Sequence, residues 1–195
     1  MMKLPQLKNF YLIALLAVGS YGVATARAQE EAPKNTQISL GNVSGAPKAQ
    51  VMVPVFLTPV PATTQVGSVS ASIGFESKDV SFVRAEKSFL LDGVGGTFQA
   101  KAESDPNSSD KSILQIEIST AGEPRKPLRE GLILTLVFRI NEKANAPETV
   151  KLDLQKTSVT TIDTKPVQPI LSKNGTIEIV KPESVPYVGC FFFSH

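Results

Sequence analysis

Chemistry in this chain would have to come from very few side chains. It holds one cysteine, one histidine and no tryptophan. Cys190 and His195 both fall within the last six positions. A histidine there has no neighbouring element to orient it as a base, and no Gly-x-Ser-x-Gly elbow supplies a nucleophile. A single thiol allows neither an internal disulfide nor a multi-thiolate zinc site. The 18 acidic side chains could in principle furnish a carboxylate pair for glycoside hydrolysis, but no aromatic-lined groove signature accompanies them. Asp105-Pro106-Asn107-Ser108-Ser109-Asp110 has the D-x-N-x-S rhythm of an EF-hand calcium loop. It lacks the central glycine, and Ile116 stands where the twelfth-place Glu belongs, so it reads as a solvated turn. The chain therefore reads as a non-enzyme that calls for no metal and no cofactor.

Its bulk composition narrows the class further. Twenty basic against 18 acidic side chains in 195 residues leave a formal charge of +2, without the clustered basic surface that nucleic acid needs. Fourteen prolines and thirteen glycines suit short strands and many turns. Sugar stacking normally uses exposed Trp or Tyr, and of the three tyrosines Tyr11 and Tyr21 precede the domain, which leaves Tyr187. Phe75, Phe82, Phe98 and Phe138 fall on pattern positions that read as core. Asn42-Val43-Ser44, Asn107-Ser108-Ser109 and Asn174-Gly175-Thr176 spell glycosylation sequons, silent in a host that does not glycosylate secreted asparagines.

Residues 1–28 read as an address. Lys3 and Lys8 precede an apolar stretch from Phe10 to Val18, and Ala26-Arg27-Ala28 has the form of a cleavage site. The apolar stretch is about half the roughly 20 residues that a bilayer requires, so a secretory leader fits better than an anchor. No transmembrane span is then expected after cleavage, and the location is secreted, periplasmic or cell-surface. Lys3, Lys8 and Arg27 leave with the leader, so 17 of the 20 bases remain against 18 acids.

From Gln37 the chain alternates with a period of two. Residues 29–36 are polar and aperiodic, a short linker. Ile38, Leu40 and Val43 share one short strand, and Val51, Val53, Val55 and Leu57 alternate in the next. Pro54 inside that run removes a ladder donor and marks an edge or a bulge. Val69, Ala71, Ile73 and Phe75 alternate with Ser68, Ser70, Ser72 and Gly74, the signature of a half-buried strand. Val80, Phe82 and Arg84 continue the pattern, then Phe98 and Ala100 after a glycine-rich turn. Leu114, Ile116 and Ile118 face away from Gln115 and Glu117, and Gly131 to Ile140 is apolar enough to be buried on both faces. Val150, Leu152 and Leu154 alternate, and Gly175 to Val180 closes the series. About nine strands with no helical window point to one all-β sandwich or barrel over residues 37–180.

The order of these signals resembles the cohesin domain, the receiver of dockerins in bacterial polysaccharide-degrading complexes. The resemblance rests on Val51-Met52-Val53-Pro54-Val55, on VGSVSASIGFESKDVSFVRAE with Phe75-Glu76 at its corner, on EGLILTLVFRI, and on NGTIEIV. It implies a nine-stranded jelly-roll β-sandwich of two packed sheets, non-catalytic, binding through the sheet of strands eight, three, six and five. The outward positions implied are Ser68, Ser70 and Ser72 on the third strand, Gln99 and Lys101 on the fifth, and Gln115 and Glu117 on the sixth. The partner implied is a dockerin-type module carrying its own calcium, or another surface protein. Three serines stand where the family tends to place Asn and Asp. A carbohydrate-binding module of similar sandwich shape, taking polysaccharide directly, is the alternative.

Residues 181–195 form a proline-bearing tail in which Cys190 is followed by Phe191, Phe192 and Phe193. The triplet either folds back on the sandwich and buries the thiol, or docks to a partner or membrane surface. The second is favoured because three adjacent Phe cannot all face inward on a strand.

Overall fold

The structure is a computed structural model that describes residues 34–182. The expected leader and cleavage site in residues 1–28, and the tail with Cys190 and Phe191–Phe193, lie outside the described residues. Eleven strands and one short helix follow in order. They are β1 (Thr36–Leu40), β2 (Asn42–Gly45), β3 (Gln50–Thr58), β4 (Val66–Glu76), β5 (Val80–Lys87), α1 (Phe89–Gly93), β6 (Thr97–Ser104), β7 (Lys111–Ser119), β8 (Gly131–Ile140), β9 (Glu148–Thr161), β10 (Ile170–Lys173) and β11 (Gly175–Ile179). They build a five-stranded sheet, β10-β1-β3-β8-β5, and a six-stranded sheet, β2-β11-β9-β4-β7-β6. The fold is the expected all-β sandwich of two packed sheets.

The count of eleven against the expected nine has a physical cause. The first run is split at Gly41 into two strands, and the last, Gly175–Ile179, is preceded across Asn174 by β10, a strand the sequence pattern does not show; each of these pairs serves both sheets. Ile38 and Leu40 thus sit in one sheet and Val43 in the other. β1 pairs parallel with β10, and β2 parallel with β11, so the two runs change sheets side by side. Asn174 covers the break: its Oδ1 accepts from Leu154 N–H at 2.8 Å, and its Nδ2 donates to Asp153 at 2.9 Å.

Pro54 is explained by the same crossover. Gly41 N–H donates to the Pro54 carbonyl at 2.9 Å, the last bond before β1 leaves β3. A strand residue points its N and its C=O to the same side, so the missing Pro54 donor faces Gly41, where β1 ends and the chain turns to the other sheet. The register shift lies one step on, between Val55 and Phe56.

Alternating strands meet in one core. Val51, Val53, Val55 and Leu57 of β3 and Leu134, Leu136, Phe138 and Ile140 of β8 face Val69, Ala71, Ile73 and Phe75 of β4 and Leu114, Ile116 and Ile118 of β7, all buried. The Phe138 ring takes the edges of Phe75 at 5.2 Å and Phe82 at 5.7 Å. Phe75 and Phe138 are buried, while Phe82 and Phe98 are half-buried against the core.

Local departures from the simple alternation are few. A bulge between Phe82 and Arg84 turns Arg84 out to solvent and sends Ala85 to the core instead, correcting the inward placement of Arg84. Arg84 then lies opposite Val137 and reaches Gln50 on β3. The segment FLLDG is helical, because the Ser88 side chain caps it by accepting from Leu91 N–H and Leu91 anchors it in the core. Asp105–Asp110 joins β6 to β7 as a hairpin loop, with Asp105 Oδ1 accepting from Asn107 N–H at 2.9 Å. That carboxylate closes a turn, and among the described residues no group of three or more His, Cys, Asp or Glu side chains is placed to hold a metal ion. No helix among them is long and apolar enough to cross a membrane.

Candidate partner-binding face

β9, β4, β7 and β6 lie side by side in the six-stranded sheet. With β1–β2 and β10–β11 each taken as one run, they are the eighth, third, sixth and fifth runs of the chain. Alternation puts one face of each in the core and the other outward.

The register brings the seven sequence-predicted positions onto this outward face. Ser70 pairs with Glu117, which pairs with Gln99; Ser72 pairs with Gln115, which pairs with Lys101. Ser68 pairs with Ser119, and Ser119 with Thr97. The three serines are half-buried, whereas Gln99, Lys101, Gln115 and Glu117 are exposed. Small hydroxyls thus run along β4 between taller side chains on its neighbours.

Hydroxyls bond along this face as well as outward. Ser68 Oγ and Thr160 Oγ1 are 2.7 Å apart, and Thr97 Oγ1 and Ser119 Oγ 3.2 Å. Lys101 pairs with Glu103 of its own strand at 2.6 Å. That hydrogen-bonded carboxylate holds the ammonium above the usual lysine range. Beyond the end of β4, Glu76 does the same for Lys78, with Asp79 adding to the attraction.

Among the described residues, two hollows on this face are larger than a third beside Lys156. One, of about 200 Å³, lies over Ser68 and Ser70 with Gln99 and Glu117 at its rim. The other, of about 350 Å³, lies over Gly74, where Glu76, Asp105, Lys111, Lys151 and Asp153 surround it. Both signs of charge are interspersed, and no large hydrophobic side chain among the described residues is exposed on these four strands. The arrangement can exchange hydrogen bonds with a flat partner surface, but it offers none of the buried aromatic pockets that dominate tight interfaces.

β9 supplies residues that the sequence pattern does not flag. Ser70 pairs with Ser158 but Ser72 with Gln155, so Lys156 and Thr157 together oppose Ala71. This is a β-bulge, and Lys156 adopts a left-handed φ of 43° within it. At the bulge Lys156 lines one hollow with Ser70, Ser72 and Glu117. A sequence signal exists in hindsight: Leu154 and Val159 are both buried yet an odd number of positions apart, which a strand allows only with an extra residue.

Comparison with known proteins bears on the whole sandwich. The family model for the cohesin domain matches residues 36–179, from the first residue of β1 to the last of β11. The chain belongs to the cohesin family. Cohesin domains are non-catalytic interaction modules, typically extracellular or at the cell surface. The fold is similar to that of the third cohesin ScaC of Acetivibrio cellulolyticus, solved with the ScaB dockerin, at a TM-score of 0.60 and 19% identity over 74% of this chain and 99% of that one. It is similar to a non-cellulosomal cohesin from the archaeon Archaeoglobus fulgidus, with a TM-score of 0.59 and 19% identity over 76% and 94%. CaCohA2 from Clostridium acetobutylicum gives 0.56 and 20% identity over 78% and 94%. Among curated proteins none matches the chain.

Proposed function

We propose that this cohesin domain is an exported, non-catalytic module that docks a dockerin-type partner on the outward face of β9, β4, β7 and β6. The observation that carries the reading is the register itself. Ser68, Ser70, Ser72, Gln99, Lys101, Gln115 and Glu117 occupy adjacent rows of one exposed face in a member of this family. Lys156, set by its bulge, is added to that face. The partner carries the calcium, so the cohesin supplies hydrogen-bonding groups and shape, in polysaccharide-degrading or cell-surface assemblies. Export rests on the charged, then apolar, then small-residue order of residues 1–28.

The test is a pull-down from the host's secreted and envelope fractions with the full chain as bait, run in calcium and then in EDTA. A partner retained in calcium and released by EDTA is the expected result. Retention that ignores EDTA removes dockerin from the account, and retention on insoluble polysaccharide with no protein partner favours direct sugar binding.

A further inference from the structure

The two sheets end in four edge strands, β10 and β5 in one, β2 and β6 in the other. An edge offers unpaired N–H and C=O groups to any further strand, and native sheets blunt it by shortness, proline or a bulge. β10 and β2 have four residues each, and β5 is interrupted by the bulge between Phe82 and Arg84. β6 lacks these devices: its eight residues include no proline and pair with β7 without a register shift. The helix α1 reaches the start of β6, where Gly96 N–H donates to the Leu91 carbonyl at 2.9 Å. Away from that end the strand opens, with Phe98 and Ala100 half-buried and Ala102 and Ser104 exposed.

The ladder shows which groups face the open side. Asp105 N–H donates to the Lys111 carbonyl at 2.9 Å, one step beyond the Ser104–Ser112 pair. Backbone groups alternate sides along a strand, so Glu103, Lys101 and Gln99 also turn theirs to β7. Ala100, Ala102 and Ser104 then present N–H and C=O outward, and their small side chains do not obstruct a strand laid alongside.

Charge selects the occupant. Lys101 and Glu103 share one face of β6 and pair within the strand at 2.6 Å. Antiparallel pairing of two copies of β6 about an axis at Ala102 sets each Lys101 opposite the other copy's Glu103, so the four charges alternate in sign around a square. Ala102 then meets Ala102, Ala100 meets Ser104, and these closely spaced pairs exchange about six backbone hydrogen bonds. Moving the axis to Lys101 would set that lysine against itself. Moving it to Ala100 would bring the second strand against the end that α1 approaches.

We infer that two copies of this domain join antiparallel along β6, about a two-fold axis at Ala102, and so continue the six-stranded sheet from one copy into the other. Such an interface is self-complementary and closes at two copies. The axis stands perpendicular to the sheet, so the outward faces of β9, β4, β7 and β6 look the same way in both copies. The dimer presents two proposed docking faces side by side.

Sedimentation equilibrium of the chain in reducing buffer, where Cys190 cannot link copies, should show a monomer–dimer equilibrium by millimolar concentration. A monomer throughout overturns the proposal. Ala102→Pro removes the central outward N–H, which an edge strand tolerates, so this variant should melt close to the parent yet stay monomeric. A dimer that survives Ala102→Pro places the contact elsewhere and overturns the proposal. Glu103→Lys and Lys101→Glu, which decide the matter should the proline variant melt early, should each weaken self-association about tenfold or more. An equal mixture of the two should recover it as a heterodimer. Unchanged association of the single variants, or no recovery in the mixture, also overturns the proposal. No dockerin enters these measurements, so their failure leaves the docking reading to its own pull-down.

Discussion

The carbonyl oxygen of Gly41 lies 2.5 Å from the point where a Cβ would stand on Gly175. These two glycines are where the first and last runs of the chain change sheets, and they do so in contact. A side chain on Gly175 would push on the Gly41 backbone, and one on Gly41 would meet the Pro54 ring, its Cβ 2.5 Å from Pro54 Cγ. The same Cβ on Gly175 would stand 2.7 Å from Leu40 Cβ, so both nearest obstacles are held by the fold.

Gly175→Ala should therefore lose about 1–3 kcal/mol by overpacking. Gly93→Ala, with nothing within 4 Å of its new methyl, should be neutral or gain up to about 1 kcal/mol in the short helix. Urea denaturation of the two variants beside the parent checks both, and equal stabilities would show that the crossover can relax.

The β9 bulge makes a separate prediction. Lys156 sits at φ 43°, where a β-branched residue is strained and glycine is at ease. Lys156→Val should lose about 1–2 kcal/mol. Lys156→Gly should stay within about 1 kcal/mol of the parent. Thermal melts of the pair separate the backbone effect from loss of the amine, which both variants share.

On the proposed binding face, Ser70 lies between Ser158 and Glu117. Ser70→Arg places a long side chain in the middle of a row of short ones, without touching the core. Partner retention should fall about tenfold or more, equivalent to about 1.4 kcal/mol, with an unchanged melting temperature. Retention equal to the parent's would place the partner elsewhere.

Glu103 raises the Lys101 pKa, and the sign fixes where this matters. A lysine whose folded pKa exceeds its unfolded value of about 10.4 contributes fully below that pH and loses its contribution as the pH climbs through the folded value. Stability should be insensitive to this pair from neutral pH to about 10 and should lose its share only above that. Glu103→Gln should return the Lys101 midpoint toward the ordinary lysine range, read by NMR titration of its side-chain carbons.

Alternation alone was enough to place most of the strands and the core. Val69, Ala71, Ile73 and Phe75 had to face one way and Ser68, Ser70 and Ser72 the other, because a strand has a period of two and water sorts the two faces. The same argument put Gln115 and Glu117 outward and Phe138 inside. The grouping of those outward residues into one surface came only with the resemblance to cohesins, since period two says which face a side chain takes but not which strand lies beside it. Tertiary structure alone decided that Ile38 and Val43 belong to different sheets, because the change at Gly41 depends on Gly175 and Pro54 packing against it. It also decided the bulges: Arg84 turns outward and Lys156 joins the proposed binding face because one strand carries an extra residue relative to its partner. The odd spacing of Leu154 and Val159 hints at an extra residue in β9, but which side chains Lys156 then joins is a property of two paired strands.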